Sequence, residues 1–314
     1  MQTSSFTFSV MLLLSILLLA TTSCQNISTP PDESKSESKA KNIGLPPPMP
    51  TPTAALPNEE LTSYCTETLK LLPGKFSITK LQQACAKVNK LPDCSSTEDA
   101  PIYHFDRLAN KSKLKILVIG VVHGDEHASG SVARSWIERL IDIEPRNSWR
   151  IIPIANPDGM KANTRTNKKG VDLNRNFPSK NWNVEAISYW KKSSNKDPRR
   201  FPGKSAASEK ETICLMKQIS DFSPHLIVAI HTPLGVLDFD GPELKYPQYS
   251  GLPWIRLGNF PGSLGRFMWK DRRVPVLTIE LKGGQVMKNM AELDRLQDVS
   301  GLIAIKANEK NAND

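Results

Sequence analysis

Four short, nearly continuous apolar runs constrain the fold of this chain more than any other feature. They read KLKILVIGVV at 113–122, WRIIPIANP at 149–157, HLIVAIH at 225–231 and VPVLTIEL at 274–281. Runs of this length without polar alternation are typical of strands that are buried on both faces of a sheet. We therefore predict an α/β fold, with a mixed, largely parallel twisted sheet and helices on both faces.

Helical patterns occupy the connections between these runs. Apolar residues at helical spacing predict helices over 131–143, 207–221 and 286–305. Two short helices are predicted around LPGK, in a small cysteine-containing cap segment over 61–100. A single catalytic domain is expected over 101–310, because strands and helices alternate there without interruption.

The first 60 residues have the composition of a targeting segment and a linker. The run VMLLLSILLLA at 10–20 is too short to span a bilayer and is followed by TTSC, ending at Cys24. We predict a signal peptide over 1–24 of the lipoprotein type, with Cys24 lipidated; the alternative is a short uncleaved anchor. Residues 25–60 are rich in Pro, Ser and Lys, which predicts a disordered tether. The protein is therefore expected to be exported and periplasmic, with a membrane tether through Cys24.

The other four cysteines suit an exported protein, in which disulfides form. Cys65, Cys85 and Cys94 lie close together in the sequence, so one bridge is expected among them, with one cysteine left over. Cys214 lies in the helical stretch SEKETICLMKQISDF and is expected to be a buried free thiol. No two cysteines have the C-x-x-C spacing, which argues against a zinc site built from them.

The formal net charge of +9 favours anionic partners. Lys and Arg are nevertheless spread along the whole chain, without a basic stripe interleaved with aromatic residues. The sequence therefore argues against a nucleic-acid partner. It makes no prediction of oligomeric state.

Polar residues stand at the ends of three predicted strands: His123, His231 and Glu280. In open α/β sheets, functional sites gather at the carboxyl ends of strands. Glu126 follows His123 on the same loop, in an H-x-x-E pair. Two histidines and a glutamate leave one open position on a catalytic zinc. We therefore predict one Zn²⁺ per chain, bound by His123, Glu126 and His231; the alternative is a loop histidine beside a solvated glutamate.

The other histidines are interpreted as structural. His127 adjoins the H-x-x-E pair but has the wrong spacing to share a metal with Glu126. His225 begins its predicted strand, at the opposite end from His231. His104 has no partner motif.

The stretch NPDGMKANTRTNKKGVDLNRNFP at 156–178 is much more specific. Together with the H-x-x-E pair, the strand-end histidine and the final glutamate, it resembles the zinc carboxypeptidase family over residues 113–285. The resemblance implies that Glu280 is the general base and later the acid. It also implies that Arg165 polarises the scissile carbonyl and stabilises the oxyanion.

The same resemblance implies how a substrate is bound. Asn174 and Arg175 would hold its terminal carboxylate, which suits the planar fork of an arginine. Thr278 would line the pocket for the released residue, and Asp172 would orient a metal ligand. Digestive members of the family carry a tyrosine where position 258 is glycine here, with Phe260 the nearest aromatic residue.

Two further stretches narrow the expected substrate. HTPLGVLDFDGP and NFPGSLGRFMWKDRRVPVLTIEL are similar to the murein peptide amidases of this family, which cut the γ-D-glutamyl–diaminopimelate bond of cell-wall peptides. A murein peptide is therefore the expected substrate. Asp240, and with less support Asp238, would bind the second amine of diaminopimelate. The other interpretation of DFDG is a turn.

Three functions other than murein peptide hydrolysis share part of this sequence pattern. A generic zinc carboxypeptidase would use the same site to remove C-terminal L-residues from ordinary peptides. An aspartoacylase-like deacylase shares H-x-x-E and the DLNR stretch but not the longer block that follows NPDG. A non-enzymatic wall-binding module would require a missing ligand or base, and the sequence retains both.

Overall fold

The computed structural model describes residues 58–112, 114–283 and 290–313. The predicted signal peptide and residues 25–57 of the predicted tether lie outside these described residues. The helices are α1 (Asn58–Lys70), α2 (Ile78–Cys85), α3 (His127–Asp142), α4 (Pro157–Ala162), α5 (Trp182–Lys192), α6 (Lys210–Phe222) and α7 (Met290–Asn313). None of the described helices combines the length and the apolar character that crossing a membrane requires.

One sheet organises the described chain. Its strands are β1 (Val88–Asn89), β2 (His104–Arg107), β3 (Lys115–Ile119), β4 (Ser148–Ile152), β5 (Leu226–His231), β6 (Leu234–Asp240) and β7 (Val276–Lys282). They lie in the order β1-β2-β4-β3-β5-β7-β6. The central strands β4, β3, β5 and β7 are parallel, and β2 and β6 flank them antiparallel. The predicted mixed, largely parallel sheet is confirmed.

Apolar side chains cover both faces of this sheet. In β3, Ile116 and Val118 belong to one apolar cluster, whereas Leu117 and Ile119 belong to another. The first cluster includes residues of α1, α2, α3 and α7, and the second includes residues of α6. Each of these buried side chains contributes about 1.5–3 kcal/mol relative to exposure. The uninterrupted apolar runs are therefore explained by helices packed on both faces.

Several boundaries differ from the sequence prediction. The second predicted strand ends at Ile152, and Pro157 is the first residue of α4. Asn156 caps that helix, because its side chain accepts a hydrogen bond from the Gly159 amide at 3.0 Å. The predicted tether also ends earlier: residues 58–60 belong to α1, whose first turn carries acidic side chains that suit a helix N-terminus.

The prediction that Cys214 is a free thiol is wrong. Cys214 on α6 forms a disulfide with Cys94, and their Cα atoms are 4.8 Å apart. A second disulfide joins Cys65 of α1 to Cys85 of α2. The three clustered cysteines therefore form one bridge among themselves, and the one left over is paired across 120 residues. Distance along the sequence did not indicate this pairing, because α6 packs against the segment that carries Cys94.

Candidate metal centre and substrate cleft

The loop between β3 and α3 carries the H-x-x-E pair in a tightly packed conformation. A Cβ atom on Gly124 would lie 2.0 Å from the carbonyl carbon of Gly159, so only glycine fits there. Val121 has a φ of 43°, which is strained for a β-branched residue. Its amide donates to Ser129 Oγ at 2.8 Å, which fixes the loop against the first turn of α3. The loop therefore has little freedom to move.

His123, Glu126 and His231 meet at one point. His123 Nδ1 lies 2.8 Å from Glu126 Oε1, His231 Nδ1 lies 3.0 Å from Glu126 Oε2, and the two Nδ1 atoms are 3.2 Å apart. All three residues are buried. Ligand atoms at zinc bond lengths in a tetrahedron are roughly 3.3 Å apart. The spacing and the donor set therefore fit one zinc ion, although the nature of the ion is a proposal.

Asp172 lies behind this group. Its Oδ1 is 3.0 Å from His123 Nε2, so the other ring nitrogen of His123 faces the centre. Burial would raise the pKa of Asp172, but Arg165 and His123 hold it well below its usual range. Burial likewise opposes the charge on Glu126, yet His123 and His231 keep its pKa low. Both carboxylates are therefore charged.

Glu280 lies beside the centre because of strand register. In the parallel pair β5–β7, Glu280 is the register partner of His231. Partners in a register point to the same face of the sheet, so both side chains point to the cleft. The amide of Leu234 donates to Glu280 Oε2 at 3.4 Å. The base that the sequence predicted is therefore next to a candidate ligand.

Arg165 connects the centre to the cleft. Its Nε and Nη2 donate to Asp172 Oδ2 at 3.1 and 3.0 Å, and its Nη1 lies 3.5 Å from Glu126 Oε1. Burial opposes its charge, but Asp172 and Glu126 raise its pKa on balance. The guanidinium is thereby fixed and charged at the edge of the metal centre.

Asn174 and Arg175 lie on a short 3-10 helix, Leu173–Arg175. Asn174 Oδ1 accepts a hydrogen bond from the Leu264 amide at 2.9 Å. Among the described residues, the side-chain nitrogen of Asn174 is left to donate a hydrogen bond to a ligand. The Arg175 guanidinium lies 4.7 Å from the ring centre of Phe260. Burial lowers the pKa of Arg175, and within the described ranges no carboxylate is in ion-pair contact with it. Phe260 thus stacks on Arg175 and supplies no phenol in place of the family tyrosine.

An acidic pair lies at the far end of the site. Asp238 and Asp240 of β6 are register partners of Thr278 and Val276, which places them on the face of Glu280. Burial, followed by the charge of Asp240, raises the pKa of Asp238 to about 6. Asn259 donates to Asp240 Oδ1 at 2.5 Å. DFDG is therefore part of an edge strand, and the alternative of a turn is wrong.

One cleft, with a volume of about 390 Å³, collects these groups. It is lined by every residue for which the sequence predicted a role in metal binding, catalysis or substrate binding: His123, Glu126, Arg165, Asn174, Arg175, His231, Asp240, Thr278 and Glu280. The structure adds Asp197, Arg199 and Arg200, which belong to no motif in the sequence, and Ser263, which lies in a quoted stretch but was given no role. For Asp197, Arg199 and Arg200, the only feature of the sequence that pointed to a functional site was the concentrated charge of the run KDPRR.

The other three described histidines do not line the cleft. His104 is buried on β2 beside Gln218, and burial lowers its pKa to about 4. His225 accepts a hydrogen bond from the Lys115 amide at 3.2 Å. His127 lines a separate cavity with Tyr64. Their interpretation as structural residues agrees with these positions.

The chain is similar to one protein family and to individual relatives from two bacteria. The zinc carboxypeptidase family matches residues 78–237, about half of the chain. Murein peptide amidase A of Escherichia coli (strain K12) is 31% identical over 141 residues, which cover 44% of this chain and 57% of that protein. The Vibrio campbellii protein of the same name is 28% identical over 212 residues, 65% of this chain and 84% of that one.

The fold also occurs among solved structures. Carboxypeptidase A from Helicoverpa armigera superposes with a TM-score of 0.56 at 17% identity, over 79% of each chain. At this identity the likeness concerns the fold alone. The match to the Escherichia coli relative spans little more than half of that relative's length.

Proposed function

Because the chain belongs to the zinc carboxypeptidase family, we propose that it is a zinc-dependent amidase that hydrolyses the γ-D-glutamyl–diaminopimelate bond of murein peptides. One observation carries the proposal. A His-Glu-His group, a glutamate beside it, a half-buried arginine without a carboxylate partner among the described residues and an acidic pair all line one cleft. The names of two relatives support the choice of substrate.

The side chains around the metal group suit the hydrolysis of an amide. When bound, zinc would supply a Lewis acid and lower the pKa of a water molecule. Glu280 would take a proton from the attacking water and later donate it to the leaving nitrogen. Arg165 would polarise the scissile carbonyl and stabilise the negative charge on its oxygen, without moving, because Asp172 already holds it.

The two ends of diaminopimelate match two charged groups of the cleft. Its carboxylate next to the scissile nitrogen would bind Asn174 and Arg175, in the bidentate geometry that an arginine provides. Its distant amine would lie against Asp238 and Asp240. Within the part of the chain that the structure describes, neither aspartate forms an ion pair, so both are available to a cationic group.

A generic zinc carboxypeptidase is the second candidate. Leu257 and Phe260 also line the cleft, and Phe260 lies against Arg175. These apolar surfaces favour a peptide that ends in an apolar L-residue. The aspartate pair favours diaminopimelate instead, because an apolar side chain would bring no opposite charge to either carboxylate.

We also propose that the protein is exported, periplasmic and tethered to a membrane by a lipid on Cys24. The apolar run before Cys24 supports export. Two disulfides among the described residues support an oxidising compartment. An exported amidase would encounter periplasmic murein peptides or the cell wall itself.

Product analysis tests the proposed reaction. Mass spectrometry of L-Ala-γ-D-Glu-diaminopimelate after incubation is expected to show free diaminopimelate. Glu280→Gln is the blank, expected to lower kcat at least 100-fold because the proton carrier is lost. A matched peptide that ends in L-Lys is the control. Cleavage of the L-Lys peptide alone would favour the second candidate, and unchanged activity after chelation would exclude zinc chemistry.

A further inference from the structure

Two arginines to which the sequence assigned no role lie at the rim of the cleft. Arg199 and Arg200 belong to a short 3-10 helix, Pro198–Arg200, between α5 and α6. Asp197 caps this helix, because its Oδ1 accepts a hydrogen bond from the Arg199 amide at 2.9 Å. The backbone carbonyl of Asp197 accepts another from Trp190 Nε1 at 2.8 Å. The side chains are 60% and 52% exposed. The backbone is thus fixed while both guanidinium groups remain accessible to a ligand.

Arg199 is tied to the metal loop. Its Nη2 donates to Asp125 Oδ2 at 2.8 Å, and Asp125 stands between the candidate ligands His123 and Glu126 in the sequence. Asp125 also contributes to the raised pKa of Arg165. A single carboxylate therefore lies close to both the oxyanion arginine and the rim arginine, and Arg199 is held beside the metal loop in the lining of the cleft.

The order of the strands gives the cleft a direction. The acidic pair lies on the edge strand β6, and β7 and β5 separate it from β3, after which the metal loop follows. Three strand spacings of about 4.8 Å place the two ends roughly 14 Å apart. If the released residue lies toward β6, the other part of the substrate must cross the metal loop and pass Arg199.

We infer that Arg199, positioned by Asp125, binds the free α-carboxylate of the γ-D-glutamyl residue on the acyl side of the scissile bond. This inference rests on the proposed function. A γ-linked glutamate keeps a carboxylate beyond its side-chain methylenes, whereas an ordinary α-peptide has neutral amides on that side. A guanidinium at this position therefore distinguishes the γ-linkage from an α-linkage, and Arg200 adds positive potential beside it.

A pair of peptides tests the inference. The first is L-Ala-γ-D-Glu-diaminopimelate, and the second carries a carboxamide in place of the α-carboxylate. The wild type is expected to prefer the first about 10-fold in kcat/KM, the value of one charged hydrogen bond. Arg199→Ala should abolish this preference, because neither peptide then meets a charged donor at that position. Binding of both peptides to Glu280→Gln, measured by calorimetry, should show the same ratio without turnover.

Matched variants separate recognition from net charge. Arg199→Lys should keep part of the preference, because it keeps the charge but loses the planar fork. Lys192→Ala removes an exposed cation from the end of α5, outside the cleft, and should keep the full preference. Asp125→Asn should reduce the preference while zinc content stays at one per chain; an unchanged preference would refute the positioning role.

Two results would overturn the assignment of Arg199. One is a wild type that cuts both peptides equally well, and the other is an Arg199→Ala variant that still prefers the carboxylate. A wild type that cuts neither peptide would instead overturn the proposed function, and the inference would fall with it. Thermal unfolding of each variant checks that the fold is retained.

Discussion

At the scale of single residues, the cleft keeps charged groups without partners of opposite charge. Arg175 stacks on Phe260 instead of pairing with a carboxylate among the described residues, and Asp238 is buried next to Asp240. Unpaired buried charges cost stability and are retained where a ligand supplies the partner. These groups match the proposed substrate, which carries one carboxylate and one distant cation.

The raised pKa of Asp238 predicts a pH-dependent affinity for diaminopimelate. A carboxyl group with a pKa of about 6 is charged at pH 8 and mostly neutral at pH 5. Asp240 raises this pKa, Arg256 lowers it, and Tyr246 lies close enough to be affected. The ratio of kcat/KM between wild type and Asp238→Asn should therefore be about 10 at pH 8 and approach 1 at pH 5. Taking the ratio removes the titration of groups that both proteins share.

Stability gives a second measurement of the same group. Because folding raises the pKa of Asp238, the folded state binds more protons than the unfolded state between pH 4 and pH 6. The free energy of unfolding of the wild type should fall by about 1–3 kcal/mol as the pH rises through this window. Asp238→Asn should lose that fall in urea titrations. A ratio of kcat/KM that is independent of pH would contradict the role in binding.

At the scale of helices and strands, the sequence predicted the centre of the sheet better than its edges. The runs that became β3, β5 and β7 are apolar because both of their faces are buried, and their last polar residues point to the site. β6 was missed, because its aspartates interrupt the apolar pattern in order to line the cleft. The metal ligands and Glu280 follow strands, so the sequence located them, whereas Arg199 follows no strand and had no such signal.

The disulfides could not be predicted, because pairing depends on tertiary packing. The two bridges close loops of different length, with sequence separations of 20 and 120 residues. In the chain-entropy account, they contribute about 3 and about 5 kcal/mol. Cys94→Ala with Cys214→Ala should therefore lower the free energy of unfolding more than Cys65→Ala with Cys85→Ala. All four cysteines are fully buried, so the loss of side-chain packing is matched.

Urea unfolding of the two double variants measures this difference. An equal loss of stability, or a larger loss for the shorter loop, would contradict the prediction. Thiol titration of the denatured, unreduced wild type is a direct check of the pairing. This titration should find no reactive thiol among the four cysteines of the two bridges, Cys65, Cys85, Cys94 and Cys214.

At the scale of the molecule, the described residues 58–99 are part of the same core as the sheet. Leu69 of α1 and Leu81 of α2 belong to one apolar cluster with Val118 of β3. The buried Arg134 of α3 donates to the carbonyls of Leu69, Leu72, Pro73 and Gly74, at 2.8 to 3.2 Å. Arg134 thereby links the last turn of α1 and the turn that follows it to α3. A separate domain boundary at 100 remains a prediction.

Metal binding should stabilise the whole folded chain, because the three ligands meet only in the native sheet. A ligand present at 100 times its Kd stabilises the native state by about 2.7 kcal/mol. Chelation should therefore lower the Tm, and added zinc should restore it. His231→Ala should abolish the response to zinc, whereas His225→Ala, outside the cleft, should retain it. A Tm that does not depend on zinc would contradict a zinc site at this position.

The position of β7 has a consequence for the timing of activity. Among the described strands this one comes last in sequence order, yet it lies between β5 and β6 and carries Glu280. A ribosome-bound or prematurely terminated chain that stops before residue 276 would contain all three candidate ligands but no proton carrier. Such a chain could hold a metal and remain inert. In the proposed mechanism, hydrolysis therefore requires β7 to enter the middle of the sheet, whereas the three candidate ligands are present without it.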